Sequence, residues 1–195
     1  ISEKKLIDST RYKHIFADEI ICIDHPWYKK GYIQNEVKKV PSWIIHLNRK
    51  IFFNKSQKFN SFRKIFLDRS TSKYNHCKIF NQSSLNGWLK KNNFGIYAPE
   101  KLSQEKQIYL FKNASIILGA HGAALTNIIF SRPGTKIIEI IPADHPNKKC
   151  ERISKILNLR YFRIKTKPDN NDKNFPFKIH VNKKHLKIIN DIINL

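Results

Sequence analysis

An α/β domain with a doubly wound, mostly parallel sheet is what this sequence predicts, on three observations. Short runs rich in Ile, Leu and Phe alternate with stretches of helical periodicity. Several of these runs are almost wholly apolar, as strands covered by helices on both faces are. Pro, Gly and Asn punctuate the junctions between them. Right-handed crossovers between such units give a Rossmann-like layout, which binds ligands at the carboxyl ends of its strands. Residues just after strands are therefore where function is sought.

In chain order, EIICID (19–24) reads as a buried strand. Pro41-Ser42 opens a helix with Trp43, Ile44, Leu47 and Ile51 on one face. KIFLD (64–68) is the next strand. Ser84 caps a helix carrying Leu85, Trp88 and Leu89, which Asn92-Asn93 and Gly95 end. A short strand around Ile96-Tyr97 follows, then a helix capped by Ser103 that buries Ile108 and Phe111. SIILG (115–119) is a strand, AALTNIIF (123–130) a short helix and Pro133-Gly134 a turn. KIIEII (136–141) is a strand stopped by Pro142, and a helix near 152–157 leads to a strand at 161–164. KPDNNDKNFP (167–176) is a polar loop, and Asn182 caps a last helix with Leu186, Ile189 and Ile193 inward.

The chain has 195 residues, enough for one compact domain or one lobe of a larger enzyme. With 41% apolar and 12% aromatic residues it is no disordered tail, collagen-like fibre or disulfide-framed miniprotein. Its 37 Lys and Arg against 15 Asp and Glu leave a net charge of +22. Such a balance points to an anionic partner: nucleic acid, an anionic membrane surface or a phosphorylated small molecule. The basic residues are spread along the chain, however, and Lys, Asn and Ile are abundant together, so an AT-rich coding bias explains the charge equally well. Cys22, Cys77 and Cys150 lie far apart, without metal-finger spacing, and read as reduced thiols. No apolar run approaches the ~18 residues of a bilayer span, and no signal peptide is recognisable. The chain begins at Ile1 and contains no Met, as expected of a fragment whose N-terminal part is missing.

The most informative segment is SIILGAHGAALTNIIFSRPGTKIIEIIP (115–142). A buried strand ends at Gly119, and Ala120-His121-Gly122-Ala123 turns into a helix. Small residues there let a ligand approach the backbone, and the amides and dipole of a helix start favour an anion. The spacing is neither that of a Walker loop nor that of GxGxxG. His121 at this turn can be a phosphate ligand, a general acid or base, or a satisfied half-buried histidine. Thr126 and Asn127, one turn on, can reach a ligand or hydrogen-bond the neighbouring loop.

This string resembles the signature of glycosyltransferase family 61: an apolar strand, G-x-HGA-x-LTN-x-x-F, then PGT and a Glu within the next strand. The match falls on Gly119, His121, Gly122, Ala123, Leu125, Thr126, Asn127, Phe130, Pro133, Gly134, Thr135 and Glu139. Flanking matches are Arg69-Ser70 after KIFLD, Asn81-Gln82 where the family has Asn-Glu, and Leu102, Ser103 and Gln107 in LSQEKQ. ADEIICIDHPWY (17–28) is similar to the family's strand before its linker, so the resemblance covers nearly the whole chain.

The resemblance implies a two-lobed GT-B architecture. The whole chain (1–195) would be the C-terminal, nucleotide-sugar-binding lobe, with 1–55 as the interlobe and first-strand region and 56–195 as the donor-binding core. The N-terminal acceptor lobe would be absent, and with it much of the acceptor site and the catalytic base, for which His121 is the candidate in this chain. The implied reaction transfers a sugar from a nucleoside diphosphate, UDP, to a hydroxyl of a glycan or protein-linked acceptor with inversion. The expected donor-binding residues are Arg69, Ser70, His121, Gly122, Ala123, Thr126, Asn127 and Glu139. A guanidinium after a strand can bind a diphosphate bidentately, and with the His121 turn it would stabilise the leaving group. Such a site works without a divalent metal, and no DxD-like pair stands at a strand end, so no metal or other cofactor is expected. Glu139, a carboxylate in a buried strand, needs a partner: ribose hydroxyls, a cation, or the His121 loop. Asp144 and His145, and Asp24 or His25 in the earlier DHP, stand after strands and can face sugar or base, although ADHP is also an ordinary turn.

The expected partners are a nucleotide sugar, a glycan or lipid-linked acceptor and an anionic membrane surface. A bacterial source would place the chain in the cytoplasm or at the inner face of the membrane. Nucleic acid is not expected, because no RNP sequence, helix-turn-helix or finger is present. The competing readings are a non-catalytic nucleotide- or anion-binding module and, behind it, a basic nucleic-acid-binding domain.

Overall fold

The computed structural model describes Asp18 and residues 41–71, 77–167 and 178–195. The expected strand at 19–24, with Cys22, Asp24 and His25, lies outside the described residues, as does the loop after Lys167.

Among the described residues, five strands form the sheet: β1 Lys64–Leu67, β2 Phe94–Tyr97, β3 Ile116–Ala120, β4 Lys136–Pro142 and β5 Arg160–Thr166. All neighbours are parallel, in the order β2-β1-β3-β4-β5. Over these described strands the order is that of the flavodoxin-like variant of the doubly wound layout. The chain winds outward one way from β1 to β2 and the other way from β3 to β5. The reversal lies between β1 and β3, so a crevice is expected at their carboxyl ends.

The helices are α1 Ser42–Phe52, α2 Gln82–Lys91, α3 Gln104–Asn113, α4 Lys149–Ile156 and α5 Lys183–Asn194, with 3-10 turns at Pro99–Lys101 and Ala123–Phe130. Period-two alternation along the strands sorts the core into two halves. Ile65, Leu67, Ile117 and Ile137 pack beneath α1, α3, α4 and the longer 3-10 helix. Phe66, Ile116, Leu118, Ile138, Ile140 and Ile164 pack on the other face against α2 and α5. Each such fully buried Ile, Leu or Phe contributes roughly 1.5–3 kcal/mol. The sheet is therefore covered on both sides.

Several expectations need correcting. On α1 the inward residue is Ile45, 1% exposed, while Trp43, Leu47 and Ile51 are 44–48% exposed. The reason is Arg49, one turn beyond Ile45, whose guanidinium donates to Ile129 O and Ser131 O and fixes that side of α1 on the 3-10 helix. Helix α2 begins at Gln82, and Ser84 lies inside it. Asn81 precedes it without capping it, because its side chain is spent on both backbone groups of Val181. Gly95 lies inside β2, where a Cβ would run into Phe62 and Tyr97. β4 ends at Pro142, which is its last residue, in register with Thr166, one position beyond the expected 136–141. Helix α4 starts earlier than expected, at Lys149, and β5 runs on to Thr166. The short helix expected at AALTNIIF forms over Ala123–Phe130 and is of the 3-10 type.

The caps at Ser103 and Asn182 form as expected, the latter as a reciprocal box with His185. Some of the positive charge has a local use. Lys64 donates to Asn92 O and Lys136 to Ile193 O, at the carbonyl ends of α2 and α5. Helix C-termini crowd the amino edge of a parallel sheet, and cations there satisfy their carbonyls.

Candidate functional site

The two strands beside the reversal end in Asp68-Arg69-Ser70 and His121-Gly122-Ala123. His121 is held through its amide, its ring and its carbonyl. Its amide donates to Ile140 O at 2.8 Å, prolonging the β3–β4 ladder. Its ring nitrogen Nδ1 lies 2.6 Å from Glu139 Oε1. Its carbonyl accepts from the guanidinium of half-buried Arg69, which thereby bridges the ends of β1 and β3. Gly122 makes that bridge sterically possible, since a Cβ there would fall on the guanidinium. Burial pulls the Arg69 pKa below its ordinary value, an effect that nearby Cys77 and Glu100 oppose; the group remains a cation.

Ser70 belongs to a small polar turn. Its amide and hydroxyl both donate to Asp68, at 2.7 and 3.0 Å. Gln82 Nε2 donates to the same carboxylate at 2.6 Å. Burial pushes the Asp68 carboxyl up, but hydrogen bonds from Gln82 and Ser70 and the charge of Lys101 leave it below the usual range. The amide at position 82 thus supplies a donor to Asp68, where a carboxylate would repel it.

Beyond Gly122 the 3-10 helix begins, with Ala123 exposed at its open end and the first internal bond from Leu125 N to Gly122 O. Thr126 is half-buried. Asn127 donates to Gln107 Oε1 at 2.7 Å, which ties the LTN segment to α3.

Glu139 is 1% exposed. Oε1 meets His121, and Oε2 accepts from the Tyr161 hydroxyl at 2.5 Å. Burial raises the Glu139 carboxyl, but the hydrogen bonds from His121 and Tyr161 outweigh it and hold it below the usual range. The same burial and the adjacent carboxylate push the Tyr161 hydroxyl and the Cys150 thiol well up, so both keep their protons. Cys77, also buried, is pushed up to about 12, chiefly by desolvation.

His145 follows β4. Its ring lies 4.3 Å from that of His121, centroid to centroid, and its carbonyl accepts from Arg163 Nη2 at 2.5 Å. Asp144, beside it, is exposed. The structure thus brings Arg69, His121, Gly122 and Ala123 together at the carboxyl ends of β1 and β3. It puts Ser70 in the Asp68 turn, Asn127 against α3 and Glu139 in the interior beneath His121.

Sequence reading missed Asp68, Cys150, Tyr161 and Arg163. For the last two a signal existed: they alternate with Phe162 and Ile164, pair in register with Ile137 and Glu139, and so share the Glu139 face of the sheet. Chemically, a cation and the start of the 3-10 helix converge at the carboxyl ends of β1 and β3, an arrangement suited to an anionic group. Among the described residues, no group of three or more His, Cys, Asp or Glu side chains is placed to hold a metal ion. Among the same residues, no helix is long and apolar enough to cross a membrane.

The sequence model described as glycosyltransferase 61 matches residues 6–138. A beta-1,2-xylosyltransferase of Arabidopsis thaliana is 40% identical over 60 residues, which are 31% of this chain and 11% of that protein. The beta-1,2-xylosyltransferase RCN11 of Oryza sativa subsp. japonica is 32% identical over 87 residues, 42% of this chain and 16% of that protein. These matches thus span less than a fifth of the curated relatives' length.

Proposed function

The chain belongs to the glycosyltransferase 61 family, and from that premise we propose that it is the donor-binding unit of a glycosyltransferase using a nucleoside diphosphate sugar. The observation that carries the proposal is the Arg69 bridge between the ends of β1 and β3, beside the Gly122-Ala123 helix start. A diphosphate seated there would meet a guanidinium from one side and backbone donors from the other. These groups face charge that grows as the glycosidic bond to phosphate breaks, so they favour the transition state over the bound donor.

In the proposed reaction an acceptor hydroxyl oxygen bonds to the anomeric carbon as the bond to the diphosphate oxygen breaks. The electron pair stays on the nucleoside diphosphate, the hydroxyl proton passes to a base, and the configuration inverts. The two named relatives are xylosyltransferases, which makes a pentose a natural first donor to test. We assign the diphosphate charge to Arg69 and the turn, without a metal. The GT-B arrangement, with this chain as the C-terminal lobe, UDP as the nucleotide and a glycan or lipid-linked acceptor, completes the proposal.

The test is competition among UDP, ADP and GDP for the chain, followed by ligand-observed NMR. Saturable binding with UDP preferred is expected. Equal weak binding of all three, unaffected by Arg69→Ala, would defeat the proposal.

A further inference from the structure

Three side chains, of Tyr161, Glu139 and His121, are linked in series beside the Arg69 contact. Tyr161 donates to Glu139 Oε2 at 2.5 Å, and Glu139 Oε1 lies 2.6 Å from His121 Nδ1. An ionised carboxylate only accepts hydrogen bonds. The proton between Glu139 and His121 therefore sits on Nδ1, which fixes the ring's tautomer and plane. The His121 side chain is only 7% exposed, and its ring is backed by His145. What His121 offers the crevice is its backbone: the carbonyl that receives Arg69.

We propose that Tyr161, Glu139 and the His121 ring are positioning residues, forming one chain of hydrogen bonds that sets the His121 carbonyl and through it the Arg69 guanidinium. His121 then is neither the base nor a phosphate ligand. Its imidazole clamps the Ala120–Gly122 turn to β4, and the turn holds the cation that meets the diphosphate. The buried position of Glu139 is thereby explained: it lies on the same face of the sheet as Tyr161, one strand from each of its partners. This inference rests on the donor-site reading above.

The test is a double-mutant cycle in UDP binding by the full chain, with Tyr161→Phe, Glu139→Gln and Arg69→Ala, each checked for folding by near-UV circular dichroism. Tyr161→Phe keeps the ring and removes one hydrogen bond. It is expected to weaken UDP about fivefold with Arg69 present and to have no further effect in the Arg69→Ala background. Groups acting as one unit are non-additive in this way. Side-chain NMR of nitrogen-15-labelled arginine gives a ligand-free readout, in which the Arg69 guanidinium signal is expected to shift and exchange faster in Tyr161→Phe. Losses that multiply independently, with the Arg69 signal unchanged, would overturn the positioning chain. If Arg69→Ala itself left UDP binding intact, the donor-site reading would fail instead. The two failures are therefore distinct.

Discussion

The guanidinium of Arg69, at the carboxyl end of β1, donates to the main-chain carbonyl of His121, at the carboxyl end of β3. One contact thus closes the point where strand order reverses in the sheet. It joins a residue 52 positions away in sequence to the HGA turn, and it places a cation where doubly wound sheets take their ligands.

The bridge depends on the absence of a side chain at Gly122. Its φ is 164°, extended backbone open to any residue, so the demand is for space rather than for conformational freedom. Gly122→Ala is expected to displace the Arg69 guanidinium and lower UDP affinity about tenfold, the worth of a charge-assisted hydrogen bond. Unfolding stability should change by less than about 1 kcal/mol, since the displaced group is the tip of a flexible side chain. Unchanged affinity in calorimetry of the variant would count against the bridge.

Glu139 makes an acid-side prediction. Its folded pKa lies below the ordinary 4.5, so the unfolded chain takes up this proton first as pH falls. The stabilisation is complete above about 4.5 and is lost as pH drops through the folded value. Glu139→Gln removes this titration, and its urea midpoint should vary less with pH below 4.5 than that of the wild type. Glu139→Ala, which deprives both His121 and Tyr161 of an acceptor in the interior, should cost about 3 kcal/mol at neutral pH. Parallel pH profiles for wild type and Glu139→Gln would contradict the assigned ionisation.

Helix α1 separates packing from periodicity. Ile45→Ala should cost about 2–5 kcal/mol, whereas Leu47→Ala and Trp43→Ser should stay within about 0.5 kcal/mol. Denaturant unfolding of the three variants checks this. A large loss at Leu47 would restore the face that helical spacing predicts.

The strands and the HGA turn were legible in the sequence because their signals are local. Apolar runs such as KIFL and KIIEII mark buried strands, and Gly119 to Ala123 marks a tight strand-to-helix turn. The face of α1 was not legible, because Trp43, Leu47 and Ile51 make as regular a stripe as any inward one. Ile45 wins through the long-range bond of Arg49 to the end of the 3-10 helix, which no window on the helix contains. Asn81 likewise has the chemistry of an N-cap but is claimed by Val181, 100 positions away. The partner required by Glu139 was foreseeable from its burial, and the His121 loop was one of the candidates. Tyr161 and Arg163 became visible only with the β4–β5 register, which brings them to the same face of the sheet.

The most direct measurement is calorimetric titration of the chain with UDP, wild type beside Arg69→Ala, at two salt concentrations. Saturable one-site binding by the wild type, weakened about tenfold or more in the variant and only modestly reduced by salt, is the expected result. Equal binding by a folded Arg69→Ala variant, or binding that disappears with salt alone, would contradict a diphosphate site at the β1–β3 crevice.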